Sequence, residues 1–165
     1  MADLVQLATK YMGTPYVWGG ESMEEGGMDC SGFIFNVLRD AGVTTERLTA
    51  QGYRSYGTPV SKADIQPGDL VFFGSQSNAT HIGMYIGNGQ IIHSAGGSKN
   101  TKSNPGKGVS IVSLDHRSDL IDIRRVGSGT AFGSASGSGL KNLAIVVILV
   151  VVCIVGVMLV MLAQI

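Results

Sequence analysis

Residues 143–163, LAIVVILVVVCIVGVMLVMLA, contain no charged side chain. As an α-helix this stretch would be about 31 Å long, close to the hydrocarbon thickness of a bilayer. Its length and its lack of charge favour a membrane-spanning helix over a helix in the core of a soluble domain. The sequence therefore predicts a transmembrane-type segment over residues 140–165, and the rest of the chain must build its own core.

Three regions of different composition follow one another along the chain. Residues 1–126 are predicted to form a globular domain, residues 127–139 (GSGTAFGSASGSG) a flexible linker, and residues 140–165 the apolar segment. Lys plus Arg and Asp plus Glu each number 12, so the formal net charge is zero. A neutral chain lacks the basic surface that captures nucleic acid, so no nucleic-acid binding is expected.

Within the globular region, helical patterns come first and strand patterns follow. Helices are predicted over residues 3–12, 30–41 and 46–56, the second with Asp29 at its N-cap and Gly42 beyond its end. Strands are predicted in QPGDLVFFG, HIGMYIGNGQIIHS, GVSIVSL and LIDIRRV, with a hairpin turn at residues 87–89. Segregated helices and antiparallel strands indicate an α+β fold.

Cys30, in GGMDCSGF, is the only cysteine of the globular region. A disulfide with Cys153 is implausible because Cys153 lies in the apolar segment, and the histidines are too scattered for a zinc pattern. At the first turn of a helix, backbone N–H groups and the helix dipole are expected to lower the thiol pKa and to offer donors to an oxyanion. The position is equally compatible with a small buried residue.

A cysteine nucleophile needs a base, and the chain has three histidines, His81, His93 and His116. Folding about Asn88 brings residues 81 and 93 to one end of the hairpin with the same parity, and hence onto a shared face. This arrangement permits a relay in which Cys30 attacks, His81 takes and returns the proton, and His93 orients His81. His116 lies in the polar stretch SLDHRSD and is interpreted as solvated.

Four motifs, PYVWGG, MDCSGF, PGDLVFF and HIGMYIGNGQIIH, resemble in order and spacing those of the NlpC/P60 cysteine peptidases, over most of residues 1–126. The resemblance implies a papain-like α+β fold without metal or cofactor. It implies hydrolysis of bacterial cell-wall stem peptides, commonly between D-γ-glutamate and the following diamino acid. By position, Cys30 corresponds to the nucleophile, His81 to the base and His93 to the orienting residue.

The same resemblance implies residues that contact the substrate. Tyr16 is expected beside the nucleophile, as a donor near the reacting carbonyl or as a packing residue. Asp29 and Ser31 match positions that help to bind the free amino end of the stem, and Asp29 has an equally good role as a helix cap. Trp18 is interpreted as a packing residue, and close backbone approach is expected at three glycines, Gly19, Gly20 and Gly32.

The place of action is inferred from both ends of the chain. The N-terminal residues lack the basic start, apolar centre and cleavage site of a secretory signal, yet intact wall lies outside the membrane. Delivery in a bacteriophage tail resolves this conflict: the peptidase opens the wall, and residues 143–163 enter the host bilayer during genome entry. Other tail proteins would shield that segment beforehand. The expected location is the virion tail and then the host cell envelope.

Three alternatives remain. The chain is otherwise a single-pass bacterial membrane protein that acts on wall fragments, or a structural tail plug that inserts into the membrane. The third is a lipid acyltransferase of a permuted, related fold, which is disfavoured because in those enzymes the histidine precedes the cysteine. Stems with diaminopimelate and stems with lysine are both compatible with the sequence.

Overall fold

The computed structural model describes residues 3–43 and 46–127 of the chain. Three α-helices and eight β-strands are present in these ranges, together with two short 3₁₀ turns at Lys62–Asp64 and Leu114–His116. The helices are α1 (Leu4–Thr9), α2 (Cys30–Asp40) and α3 (Ala50–Tyr53). The strands are β1 (Glu21–Ser22), β2 (Gly27–Met28), β3 (Thr58–Pro59), β4 (Leu70–Ser75), β5 (Asn78–Gly87), β6 (Gln90–Ala95), β7 (Gly108–Ser113) and β8 (Leu120–Arg125).

Six of the strands form one antiparallel sheet in the order β3-β8-β4-β5-β6-β7. The other two, β1 and β2, form a short hairpin that leads into α2. All three helices precede this sheet in the chain and pack on β5, and α2 also packs on β6. The predicted α+β architecture with segregated layers is therefore confirmed.

The helix α2 is set by its two ends and by one apolar face. Asp29 caps it, since its Oδ1 accepts the Gly32 N–H at 2.7 Å. Gly42 follows the C-terminal end with φ of 70°, a left-handed conformation that favours glycine. Its buried face, whose residues recur at helical spacing, packs against the sheet and comprises Phe33, Ile34, Val37 and Leu38.

The hairpin of β5 and β6 turns at Asn88 and Gly89, as the Asn-Gly pair predicts. Both residues have positive φ, 52° and 69°, which matches the twist of a two-residue hairpin turn. Met84 pairs with Ile92 in the resulting register. This register brings residues 81 and 93 towards the same end of the hairpin.

Apolar packing covers both faces of the central strand β4. Leu70 and Phe72 belong to the core between the sheet and the helices, whereas Val71 and Phe73 belong to a smaller core on the other face. All four side chains have no exposed surface. This buried strand pairs with β5 from Leu70–Met84 to Ser75–Asn78, and so positions the strand that carries His81.

The predicted helix over residues 46–56 was too long, because the observed α3 contains only residues 50–53. Thr49 caps α3 by accepting the Gly52 N–H, so residues 46–48 stay outside the helix. The predicted linker after residue 127 and the apolar segment 140–165 lie outside the described residues. Among residues 3–43 and 46–127, no helix is both long and apolar enough to span a bilayer.

Candidate active site

Cys30 is the first residue of α2, and its side chain is buried, with 8% of its surface exposed. Backbone hydrogen bonds from Ser31 and Ile82 reach the thiol and act to lower its pKa, as N–H donors do. The sulfur therefore lies at the N-terminus of its own helix and against β5, where Ile82 directly follows His81. The structure thus brings the predicted nucleophile next to the strand of the predicted base.

The expected fall in the thiol pKa is not observed. Burial, followed by the negative charge of Asp29, raises the pKa of Cys30 to about 11. The helix-start donors are present, as the sequence predicted, but they are outweighed by loss of solvent around the sulfur. At neutral pH the thiol is protonated before substrate binds, and attack requires a base that removes its proton.

His81 and His93 are brought together as predicted. The Nε2 atom of His81 lies 2.8 Å from the Nδ1 atom of His93, and the rings meet edge to face. Both side chains are buried. Gly83 gives the His93 side chain room, because a Cβ atom at position 83 would lie 3.2 Å from the Cβ atom of His93, a tight contact.

Both imidazoles are uncharged at neutral pH. Burial, then the charges of His93 and Arg117, lowers the pKa of His81 to about 3. Burial, then His116 and Lys107, lowers the pKa of His93 to about 4. Because Nε2 of His81 is engaged with His93, its Nδ1 is the nitrogen left to accept a proton from the thiol.

Asp29 and Ser31 form a polar cluster at the start of α2. The Asp29 Oδ1 atom accepts hydrogen bonds from the Ser31 hydroxyl at 2.9 Å and from Nη2 of Arg47 at 2.8 Å. Its Oδ2 atom accepts the Gly19 N–H at 3.1 Å. Asp29 is therefore a helix cap, as one interpretation predicted, and it also forms an ion pair with Arg47. Its role towards the amino end of the stem stays a prediction.

Arg47 is a site residue that the sequence analysis missed. Besides Asp29, it donates to the Ser31 hydroxyl at 2.8 Å and lies 3.4 Å from a carboxylate oxygen of Glu21. Its segment has neither periodicity nor a motif, so the only available signal was the need of the partly buried Asp29 carboxylate for a cation. The cluster therefore contains a negative charge, the Asp29 carboxylate, and a positive charge, the Arg47 guanidinium, at the start of the helix that begins with Cys30.

Tyr16 is buried, and burial, followed by the negative charges of Cys30 and Asp29, raises its pKa, which places the phenol in the electrostatic surroundings of the nucleophile. The phenol is therefore protonated at neutral pH. No hydrogen-bond acceptor for its hydroxyl is found among residues 3–43 and 46–127. Gly96 provides room for the ring, because a Cβ atom there would overlap it. Tyr16 thus has a free O–H at the nucleophile.

The structure corrects one interpretation from sequence and adds contacts to another. Trp18 is not a packing residue, since 60% of its surface is exposed. His116 is exposed, as expected of a solvated residue, yet its ring lies 5.0 Å from that of His93 and 5.5 Å from that of Phe73. The described ranges contain no group of three or more His, Cys, Asp or Glu able to hold a metal ion.

Close backbone approach is confirmed at two of the three glycines. A Cβ atom at Gly20 would overlap the carbonyl oxygen of Gly27, and one at Gly32 would overlap the carbonyl oxygen of Gly20. Gly19 is different: no atom of the described residues lies within 4 Å of a Cβ atom placed there, and its φ of 75° is the reason for glycine. These contacts pack the start of α2 directly against the backbone of the β1–β2 hairpin.

Comparison with protein-family models matches residues 13–116 to the NlpC/P60 family. A probable endopeptidase of Mycobacterium bovis is 37% identical over 122 residues, which cover 74% of this chain and 28% of that protein. A gamma-D-glutamyl-L-lysine dipeptidyl-peptidase of Bacillus cereus is 38% identical over 95 residues, which cover 56% of this chain and 28% of that protein.

A solved structure agrees with these matches. The crystal structure of an NlpC/P60 family protein from Bacillus cereus superposes with a TM-score of 0.64 at 32% sequence identity, covering 75% of this chain and 39% of that one. The chain spans little more than a quarter of the length of the two curated relatives. The similarity thus concerns a single domain of larger proteins.

Proposed function

Because the chain belongs to the NlpC/P60 family, we propose that it is a cysteine peptidase of peptidoglycan. Its substrate is the stem peptide, cut between D-γ-glutamate and the following diamino acid. One arrangement carries this proposal. The Cys30 thiol lies at a helix start against the strand that contains His81, and His81 in turn contacts His93 at 2.8 Å.

In the first half of the reaction, Nδ1 of His81 takes the thiol proton as the Cys30 sulfur attacks the γ-carbonyl carbon. His93 accepts a hydrogen bond from Nε2 of His81 and so fixes the tautomer and the ring orientation. The oxyanion of the tetrahedral intermediate is stabilised by N–H groups at the start of α2 and by the Tyr16 hydroxyl. The C–N bond then breaks, and His81 returns the proton to the leaving amine.

The second half is hydrolysis of the thioester. His81 takes a proton from water, the hydroxide attacks the acyl carbon, and the sulfur leaves and regains a proton. Asp29 and Ser31 hold the free amino end of the stem, because a carboxylate and a hydroxyl suit an ammonium group. Arg47 holds Asp29 in position for this role.

Hydrolysis of a synthetic stem peptide by the full chain tests this function, with products identified by mass spectrometry. We expect a dipeptide of L-alanine and D-glutamate from the wild-type chain and no product above background from Cys30→Ala. Cys153→Ala is the matched control, since it removes the other cysteine, and its turnover should equal that of the wild type. Equal turnover by Cys30→Ala, with unchanged circular dichroism, would refute the mechanism.

For the apolar segment we propose a role in membrane contact after delivery in a phage tail. This proposal is supported by the co-occurrence, in one chain, of a wall-peptidase domain and 21 uncharged residues of bilayer length. Mass spectrometry of purified virions is expected to detect the chain. Its detection only in host membranes would instead indicate a single-pass cellular enzyme.

A further inference from the structure

The charges around Cys30 are separated by sign. Asp29 and Glu21, compensated by Arg47, lie at the start of α2 and on the adjacent hairpin. On the side of the imidazoles lie three basic residues, Lys107, His116 and Arg117, which we call the basic rim. The charge of Arg117 acts on Cys30 and on both imidazoles, and Lys107 acts on His93. The proposed mechanism uses none of these three residues.

Arg117 is fixed beside the predicted base. Its Nε donates to Oδ1 of Asp119 at 2.8 Å, and its Nη2 donates to Oδ2 of the same carboxylate. The guanidinium lies over the Phe73 ring at 5.4 Å, and that ring lies 6.1 Å from the ring of His81. Within the described residues nothing accepts from Nη1. A rigid guanidinium with an unused edge is a preorganised ligand for a carboxylate.

Lys107 and His116 extend the rim past His93. Lys107 lies between Gly106, which pairs with Tyr16, and Gly108, the first residue of β7. It is exposed, and no ion pair to it forms within residues 3–43 and 46–127. His116 donates from Nδ1 to the Ser113 carbonyl at 2.9 Å, which leaves its Nε2 unused. The rim thus contains two permanent cations, Arg117 and Lys107, and among the described residues only Asp119 forms an ion pair with either of them.

We propose that the basic rim is a subsite for a carboxylate on the residue that follows the scissile bond. The inference rests on the proposed function: with the amino end of the stem at Asp29 and the γ-carbonyl at Cys30, the leaving residue extends past His81 and His93 towards the rim. The favoured stem therefore carries diaminopimelate with a free side-chain carboxylate. Its carboxamide, or lysine in its place, leaves the rim without an anion.

Binding to the Cys30→Ala chain tests the subsite independently of hydrolysis. The probes are three tetrapeptides, L-Ala-γ-D-Glu-X-D-Ala, in which X is meso-diaminopimelate, its side-chain carboxamide, or L-lysine. The carboxamide differs from the first probe by one charge at nearly constant shape. By calorimetry we expect Kd to be about tenfold lower for the carboxylate than for the carboxamide, as one charge-assisted hydrogen-bonded pair provides.

In the same background, Arg117→Gln and Lys107→Gln should each reduce that ratio, mainly by weakening binding of the carboxylate. Lys10→Gln is the control, because Lys10 is an exposed lysine at the end of α1, and it should leave the ratio at about tenfold. If Arg117→Gln fails to fold, the Kd ratio of Lys107→Gln still tests the subsite, because Lys107 is an exposed residue. Equal Kd values for the three peptides, or no binding of any, would overturn the subsite.

Turnover of the wild-type chain separates this inference from the proposed function. Hydrolysis of all three peptides at one rate, with equal Kd values, would leave the peptidase assignment standing and remove the subsite. A preference for the carboxylate in binding, without hydrolysis of any peptide, would support the subsite and refute the peptidase.

Discussion

The two sides of Cys30 stabilise buried polar groups in opposite ways. At the start of α2, the Asp29 carboxylate accepts four hydrogen bonds, one of them from the Arg47 guanidinium. On β5 and β6, no carboxylate of residues 3–43 and 46–127 makes a hydrogen bond to His81 or His93, and burial keeps both rings uncharged. The first side is thus built to hold a charge and the second to carry a proton. Changes on the two sides should therefore affect different measured quantities.

The largest effect is expected at the base. His81→Ala should lower kcat for a stem peptide by about 10³-fold or more, because it removes the base of the proposed mechanism. His93→Gln keeps a polar partner for Nε2 of His81 and should cost only about tenfold. Steady-state kinetics on both variants, with circular dichroism as the folding control, measure this. If the His81→Ala chain kept more than a tenth of the wild-type kcat, the claim that the imidazole side carries the proton would be wrong.

Acid should destabilise the imidazole side. The pKa values of His81 and His93, about 3 and about 4, lie below the value of 6.5 in the unfolded chain, so the unfolded state takes up protons first as pH falls. The stabilisation is complete above pH 6.5 and is lost as pH falls through 4 towards 3. Between pH 7 and 4.5 the loss should be on the order of 5 kcal/mol in total for the two imidazoles.

Urea unfolding at the two pH values measures that loss. The matched comparison is the double variant His81→Gln/His93→Gln, which retains His116 and every carboxylate. Its free energy of unfolding should fall less between pH 7 and 4.5. The same fall in both chains would mean that the imidazoles are not the groups that titrate.

On the other side, loss of the cation should cost stability. Arg47→Met leaves the Asp29 carboxylate partly buried without its cation and should reduce the free energy of unfolding by about 2 kcal/mol. Lys62→Met is the control, because the Lys62–Asp115 pair is mostly exposed and should contribute less than about 1 kcal/mol. Urea unfolding at pH 7 compares the two. Equal losses would show that the cluster at Asp29 behaves as an ordinary surface pair.

The smallest effect links the two sides. The negative charge of Asp29 contributes to the raised pKa of Cys30, so Asp29→Asn should lower that pKa while keeping the helix cap. The pH dependence of iodoacetamide labelling, followed on the peptide that contains Cys30, reports this change. Asp40→Asn, on the last turn of α2, is the control and should not shift the profile. An upward shift in Asp29→Asn would contradict the assigned sign of the interaction.

The parts of the site that the sequence predicted are those encoded by local pattern. Asp29 caps α2 because an acidic residue precedes an apolar stripe, and the Asn88–Gly89 turn aligns the hairpin of the two histidines. Each prediction needed only neighbouring residues and the geometry of one element. The α+β order followed in the same way from the change of hydrophobic period.

The parts that were missed depend on contacts between distant segments. Arg47 reaches Asp29 from a stretch without periodicity, and Arg117 reaches the His81 side through Phe73. The raised pKa of Cys30 also has this origin, since helix-start donors are visible in sequence but the surrounding burial is not. A local pattern shows which groups are present, whereas the balance between desolvation and hydrogen bonding requires the assembled structure.

The stacked backbones of Gly20, Gly27 and Gly32 have a consequence for mutational scanning. Neither Gly20 nor Gly32 has room for a methyl group, so every substitution there must displace the hairpin from the nucleophile's helix. In a library of variants scored by lysis, every substitution at Gly20 or Gly32 would abolish activity. Both positions would then score like Cys30, although neither takes part in the chemistry. A parallel screen for protein abundance separates them, since the glycine variants disappear from it and Cys30→Ala remains.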